Sequence, residues 1–362
     1  MFYIHFLCIE FVLLYTLARE SVQNIKYIFA EVFLLDRILT YHIEEVQEGQ
    51  QLLEFLRSRG FSRNILASMK PDKTAISLNG QRGFGRQLLH AGDYLQIHVP
   101  ETDNSDNILP VKMDLDILYE DEDLLIINKG ADTPVHPSIG NYENTLANGV
   151  AWYYKEKGQK FVYRCINRLD RDTTGALILA KNPYSAAVLS LQMKKRQIRR
   201  TYLAIVQGIT PPKGTINAPI ARAADSTISR QVDFANGETA ITHYERLAVF
   251  SGSPFYSLVE LHLETGRTHQ IRVHMKYAGH PLPGDFLYNP DYRIIKRQPL
   301  HSFQLEFTHP VTDAPMLITA PVPADFAAAF PPQCDPARHG FFAKHHYFVP
   351  LFFAPAVFSG FL

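Results

Sequence analysis

Three short segments carry the residues that could do chemistry. The first, Ile166-Asn-Arg-Leu-Asp-Arg-Asp-Thr-Thr-Gly175, centres on Asp170. It follows a polar turn and runs directly into Ala176-Leu-Ile-Leu-Ala180, an apolar run that reads as a buried strand. A carboxylate between Arg168 and Arg171 at the mouth of such a strand has little packing value, but a neighbouring cation would hold it ionised. Local capping is the competing reading. Asp170 or Asp172 could close an Asx turn, with Thr173 and Thr174 supplying hydroxyls and Gly175 a permissive backbone.

The second segment is Glu264-Thr-Gly-Arg-Thr-His-Gln-Ile-Arg-Val-His274. A strand ends at Glu264 and Gly266 permits a tight turn. A helix is predicted over 268–278, with Thr268 as N-cap, Ile271, Met275 and Ala278 on one face, and Gly279 as its stop. Arg272 falls about one turn into it, near a helix end that attracts anions. Arg267 and Arg272 could instead form surface ion pairs. The spacing of His269 and His274 is not the i, i+4 of a helical zinc pair. In the third segment Lys194, Lys195, Arg196, Arg199 and Arg200 precede a strand bearing Tyr202. Cations suit a helix C-terminus. The same set could hold phosphates beside an aromatic that stacks on a base. Arg222 and Arg230 are further candidates for phosphate contact.

The elements needed to position these residues can be traced along the chain. Residues 36–100 read as a small unit. Leu52, Phe55, Leu56, Ile65 and Leu66 give a helix–turn–helix spacing across Gly60-Phe-Ser-Arg63, followed by strands at 75–78 and 94–99. Residues 101–110 are a polar linker, and 111–326 form the main body. There Ile117–Tyr119 and Leu124–Ile127 read as a hairpin, Asn144–Lys157 and Tyr184–Lys195 as helices, and 201–206, 239–249 and 257–263 as strands, the last with alternating sides. Strands outnumber helices without a regular βαβ order. The expected fold is therefore α+β around a mostly antiparallel, mixed sheet.

Bulk composition narrows the function. Lys+Arg and Asp+Glu both total 36, so a globally basic nucleic-acid binder is not indicated, while a local basic face remains open. Cys8, Cys165 and Cys334 are scattered without a CxxC, which fits a reducing, cytoplasmic setting rather than a zinc ribbon. Residues 1–18 hold one charge, Glu10, and lack both a basic start and a cleavage site. Residues 1–35 are read as a hydrophobic extension and 327–362 as an atypical tail, with no stable membrane association expected. No dinucleotide glycine motif, P-loop or metal cluster is evident.

Taken in order, Ile117–Lys129, Val135-His-Pro137, Ile166–Gly175, Arg200–Val206, Gly214–Arg222, Leu263–His274, Gly279-His-Pro281, Gly284-Asp285 and Leu300-His-Ser302 resemble the RluA/RluD-type pseudouridine synthases. The likeness spans roughly residues 37–326, about four fifths of the chain. Residues 37–100 look like the α-L-type RNA-binding module shared with a small-subunit ribosomal protein, through Leu53-Glu-Phe-Leu56, Phe61-Ser-Arg63, Leu78-Asn-Gly80 and Ala91-Gly-Asp93. The family's usual Asn-Lys-Pro-Ala-Gly is Asn128-Lys-Gly-Ala-Asp132 here. Thr174 stands where serine is commoner, and Pro283 where an aliphatic residue is usual. None of these changes removes a catalytic group.

The resemblance implies a pseudouridine synthase fold and a cofactor-free, metal-free isomerase acting on RNA. It implies ribosomal RNA before transfer RNA, and a monomer. Asp170 would be the catalytic aspartate, Tyr202 the active-site tyrosine that stacks on uracil, and Arg272 the partner of the aspartate. Arg168 would help open the RNA and hold the nucleotide out. Arg171, Thr173, Arg267 and His269 join the five cations of 194–200, Arg222 and Arg230 as expected RNA contacts. The aspartate could attack the anomeric carbon, attack the uracil ring, or remove the ribose 2′ proton.

Overall fold

A computed structural model describes residues 36–250 and 254–329. Cys8, Cys334, the apolar run at 1–18 and the 348–362 tail lie outside the described residues. The amino-terminal unit orders β1 (Arg37–His42), α1 (Leu52–Ser58), α2 (Arg63–Ser68), β2 (Ile76–Leu78), β3 (Gln81–Arg82) and β4 (Tyr94–Val99). Its strands form a sheet in the order β1-β4-β2-β3. Leu52, Phe55, Leu56 and Ile65, the apolar positions of the two helices, pack on Leu95 and Ile97 of β4. Ser62 caps α2 by accepting from the Ile65 N–H.

The main body continues with β5 (Ile117–Glu120), β6 (Leu124–Lys129), α3 (Leu146–Glu156), β7 (Thr174–Ala180), α4 (Pro183–Lys194), β8 (Arg199–Gln207), β9 (Lys213–Asn217), β10 (Ile220–Arg222) and β11 (Arg230–Val232). It closes with β12 (Ile241–Phe250), β13 (Tyr256–Leu263), α5 (Gln270–Tyr277), β14 (Leu300–Thr308), β15 (Pro315–Thr319) and α6 (Ala324–Ala328). The large sheet runs β5-β6-β7-β14-β8-β13-β12-β9, with β15 on β14, while β10 and β11 form a separate ribbon. All its pairings are antiparallel except β7 with β14. The fold is thus α+β with a mixed, mostly antiparallel sheet.

Two local expectations need correction. His269, not Thr268, is the N-cap of α5; it sits in the left-handed region at φ 56°, makes no side-chain cap, and Ala278 at the far end is exposed. The turn after Glu264 is tighter than the cap signal implied, because Gln270 Oε1 accepts from the Arg267 N–H and the Thr265 hydroxyl. In β13 the in/out alternation holds only from Glu260 onward. Tyr256–Val259 is buried on both faces because the strand lies between β8 and β12 inside the sheet.

The two units meet through specific contacts. Arg37 of β1 makes a two-pronged bond to Asp123, each prong 2.9 Å, and Tyr184 of α4 donates to the Arg59 carbonyl from within the amino-terminal core. Among the described residues no helix is long and apolar enough to cross a membrane.

Candidate active site

β7 is buried along its whole length and pairs with β14 at Thr174–His301 and Gly175–Ser302. That parallel step is tight. Gly175 has φ 109°, and a Cβ there would stand 2.2 Å from the Ser302 carbonyl oxygen. The chain entering β7 therefore turns sharply, and the Thr173 N–H closes the turn on the Asp170 carbonyl at 3.1 Å. Asp170 is left at the strand mouth with its side chain 25% exposed.

Arg272 rises to it from the first turn of α5 and is fully buried. Its Nη1 donates to Asp170 Oδ2 at 2.9 Å. Its Nε and Nη2 donate to the two oxygens of Asp285, both at 2.7 Å. Burial alone would lower the guanidinium pKa. The hydrogen bonds and charge of Asp285, with the charge of Asp170, outweigh that and raise it. Asp285 is itself buried and also accepts from the Leu287 and Tyr288 N–H groups at 3.0 and 3.2 Å. The Tyr288 ring lies 5.0 Å from the Arg272 guanidinium carbon.

The second oxygen of Asp170, Oδ1, accepts no hydrogen bond among the described residues. The nearest ring nitrogen is His269 Nε2 at 3.9 Å. His269 Nδ1 meets the Tyr288 hydroxyl at 2.9 Å, and burial lowers the imidazole pKa despite the pull of Asp170. Tyr202 on β8 is buried, with Leu203–Val206 of the same strand in the core behind it. Burial raises its phenol pKa, so the ring is a neutral wall beside Asp170.

Asp170, Arg272, His269 and Tyr202 line one cavity of about 800 Å³. Its walls carry seven Lys and Arg residues against two carboxylates, Asp170 and Glu264. Both oxygens of Glu264 are engaged, one by Arg196 at 2.8 Å and one by His243 at 2.7 Å. Asp170 is thus the lining carboxylate with an oxygen open to the space.

Known proteins resemble this chain in sequence. Residues 123–277 match the family model described as RNA pseudouridylate synthase. The chain is 39% identical over 284 residues to an uncharacterized RNA pseudouridine synthase, YhcT, of Bacillus subtilis (strain 168), covering 78% of this chain and 93% of that protein. It is 34% identical over 305 residues to ribosomal large subunit pseudouridine synthase D of Pasteurella multocida (strain Pm70), covering 80% and 92%. The chain belongs to the RNA pseudouridine synthase family. It is accordingly an isomerase that acts on RNA. Among solved structures, human RNA pseudouridylate synthase domain containing 1 is 28% identical over 57% of this chain and 83% of that one, with a TM-score of 0.49.

Most of the residues singled out in the sequence meet at this cavity. Arg168, Arg171, Thr173, Lys194, Arg196, Arg200, Arg267 and His269 line it together with Asp170, Tyr202 and Arg272. Arg199 lines an adjoining groove and pairs with Glu306 at 3.5 Å. Lys195 is the exposed C-cap of α4, outside the cavity wall. Arg222 and Arg230 face each other across the β10–β11 ribbon and are not in that wall. Arg267 pairs with Glu238, in line with its surface ion-pair reading.

Two buried groups sit in stretches that carry the resemblance, Gly284-Asp285 and Ile117–Lys129, but the sequence assigns them no role. Asp285 is one. Lys129 is the other; its Nζ donates to the carbonyls of Gly130, Thr133 and Arg171 at 2.7, 2.9 and 2.7 Å, tying the altered 130–132 loop to the turn that carries Asp170. Burial pushes the Lys129 amine down to about 7, against the charges of Asp172 and Asp170. An acidic residue after Gly284 and a lysine ending a strand name no partner until the tertiary fold supplies one.

Proposed function

We propose that the isomerisation of uridine by this enzyme turns on Asp170, and that its substrate is large-subunit ribosomal RNA. The observation carrying the first part is the unequal state of the two Asp170 oxygens. Oδ2 is held by Arg272, while Oδ1 faces the cavity without a hydrogen bond among the described residues. A carboxylate held on one side and open on the other is oriented and free to act as nucleophile or base.

The reaction breaks the bond from N1 of uracil to the anomeric carbon, turns the base, and joins C5 to the same carbon. The proton lost from C5 is balanced by one gained at N1, so no redox partner is needed. A stacked uracil cannot reach Oδ1, so the nucleotide must leave its stack at a cost of a few kcal/mol. Arg168, exposed at the rim, is suited to fill the vacated place, and the Tyr202 ring to receive the uracil. The surplus of cations supports phosphate contacts around the opening.

For the ribosomal target, the support is the amino-terminal unit and the names of relatives. Residues 37–99 carry Arg57, Arg63, Lys70, Lys73, Arg82 and Arg86 on their surface, in keeping with an α-L-type RNA-binding module. Relatives at 33–36% identity carry the name ribosomal large subunit pseudouridine synthase D. Pseudouridine mapping in total RNA from cells with and without this gene tests the target. Loss of one or more sites in large-subunit ribosomal RNA is expected. Loss confined to transfer RNA would reject the ribosomal target and keep the isomerase.

A further inference from the structure

We propose that Phe286, together with Arg171, forms a stacking subsite for the base of a nucleotide flanking the isomerised uridine. The subsite rests on the reading that the Asp170 cavity receives that uridine. Phe286 is 47% exposed, whereas the next two residues turn inward, Tyr288 to 8% exposure. What sets this exposed ring apart is the pair of guanidiniums over it, a combination on which a base can stack.

The backbone presenting the ring is fixed. Asp285 accepts from the N–H groups of Leu287 and Tyr288, and the Asn289 N–H closes on the Asp285 carbonyl at 2.9 Å. Asp285 is in turn clamped by Arg272. A ring on so constrained a turn loses little freedom when a ligand covers it.

Position and chemistry narrow the ligand. The Arg171 and Arg272 guanidinium carbons lie 5.6 and 5.8 Å from the ring centroid, and Arg272 is the group that bonds Asp170. The ring therefore lies against the guanidinium that holds Asp170. Arg171 is half exposed and held by Asp172 and Asp132 at 3.2 and 3.5 Å. A phosphate would use the guanidinium and leave the ring idle. A planar nucleobase uses both, since bases splayed from RNA stack on aromatic rings and on guanidinium planes. When the uridine flips, its neighbour loses a stacking partner, and Phe286 offers a replacement.

The test measures kcat and KM of wild type, Phe286→Ala and Phe286→Trp on an RNA transcript carrying the mapped uridine, and on the same transcript made abasic at each neighbour in turn. For Phe286→Ala, KM should rise about ten-fold with kcat little changed, as expected for removal of one base–aromatic stack. Phe286→Trp should restore KM. One abasic transcript should raise KM for wild type and leave Phe286→Ala no worse than before. Unchanged KM in Phe286→Ala would overturn the subsite. So would a fall in kcat alone, which would mean that the ring acts through Arg272. So would an equal penalty on every abasic transcript. If wild-type protein forms no pseudouridine in any cellular RNA, the underlying reading fails and takes the subsite with it.

Discussion

Arg272 is shared between two carboxylates, and the sharing is unequal. Asp285 takes two N–H groups and Asp170 takes one. The guanidinium is therefore fixed by Asp285, and Asp170 is oriented without having both oxygens occupied. Removing the cation would strand two carboxylates, one of them fully buried. Arg272→Ala should lose activity and about 3–5 kcal/mol of stability in denaturant titrations; an unchanged midpoint would contradict the pairing. Lys129 gives a test in pH. Its amine is depressed from 10.5 to about 7 in the folded protein, so between those values the unfolded chain binds more protons and stability should rise with pH. Urea midpoints of wild type minus those of Lys129→Met should climb from about pH 7 to pH 10 and be flat below. Equal slopes in the two proteins would refute the depressed amine. Asp170 and Arg272 were legible in the sequence because each stands in a segment with polar residues where packing would want apolar ones. The motifs holding Asp285 and Lys129 were legible too, but not their roles, because Arg272 and the Arg171 carbonyl reach them only in the folded protein.

At the level of elements, the site depends on the parallel step between β7 and β14. Gly175 allows the two backbones to approach, and its positive φ sets the turn that leaves Asp170 at the strand mouth. An alanine there would meet the Ser302 carbonyl and adopt a disfavoured conformation. Gly175→Ala should cost more than about 1 kcal/mol and lower kcat by displacing Asp170; thermal melts and single-turnover rates on the same preparation check both. The buried run 176–180, the hairpin at 117–127 and the helices at 146–156 and 183–194 were readable from apolar runs, a turn and caps. The pairing of β7 with β14 was not, because it joins residues more than a hundred positions apart that share no local signal. The cap of α5 was misread for a related reason. Gln270 organises the turn by reaching back to Arg267 and Thr265, and a propensity for Thr at N-caps does not register that interaction.

Over the whole molecule, 36 positive and 36 negative side chains cancel, yet the cavity wall holds seven cations and two carboxylates. The charge is sorted, not absent. Arg168 and Lys194 make no ion pair among the described residues, whereas Arg196 is paired with Glu264. Replacing Lys194 by glutamine should flatten the dependence of log Kd on log salt by about 0.7 for the phosphate no longer neutralised, and replacing Arg196 should do less. Binding isotherms at several salt concentrations would show it, and parallel slopes throughout would argue against a phosphate track. Composition hinted at a local basic face but could not locate it, because the cations come from separate stretches that only the folded sheet brings together. If one oriented carboxylate performs the isomerisation, Asp170→Asn assayed beside wild type on the same RNA should form no detectable pseudouridine while keeping RNA affinity and melting temperature close to wild type; turnover at the wild-type rate would overturn the role of Asp170.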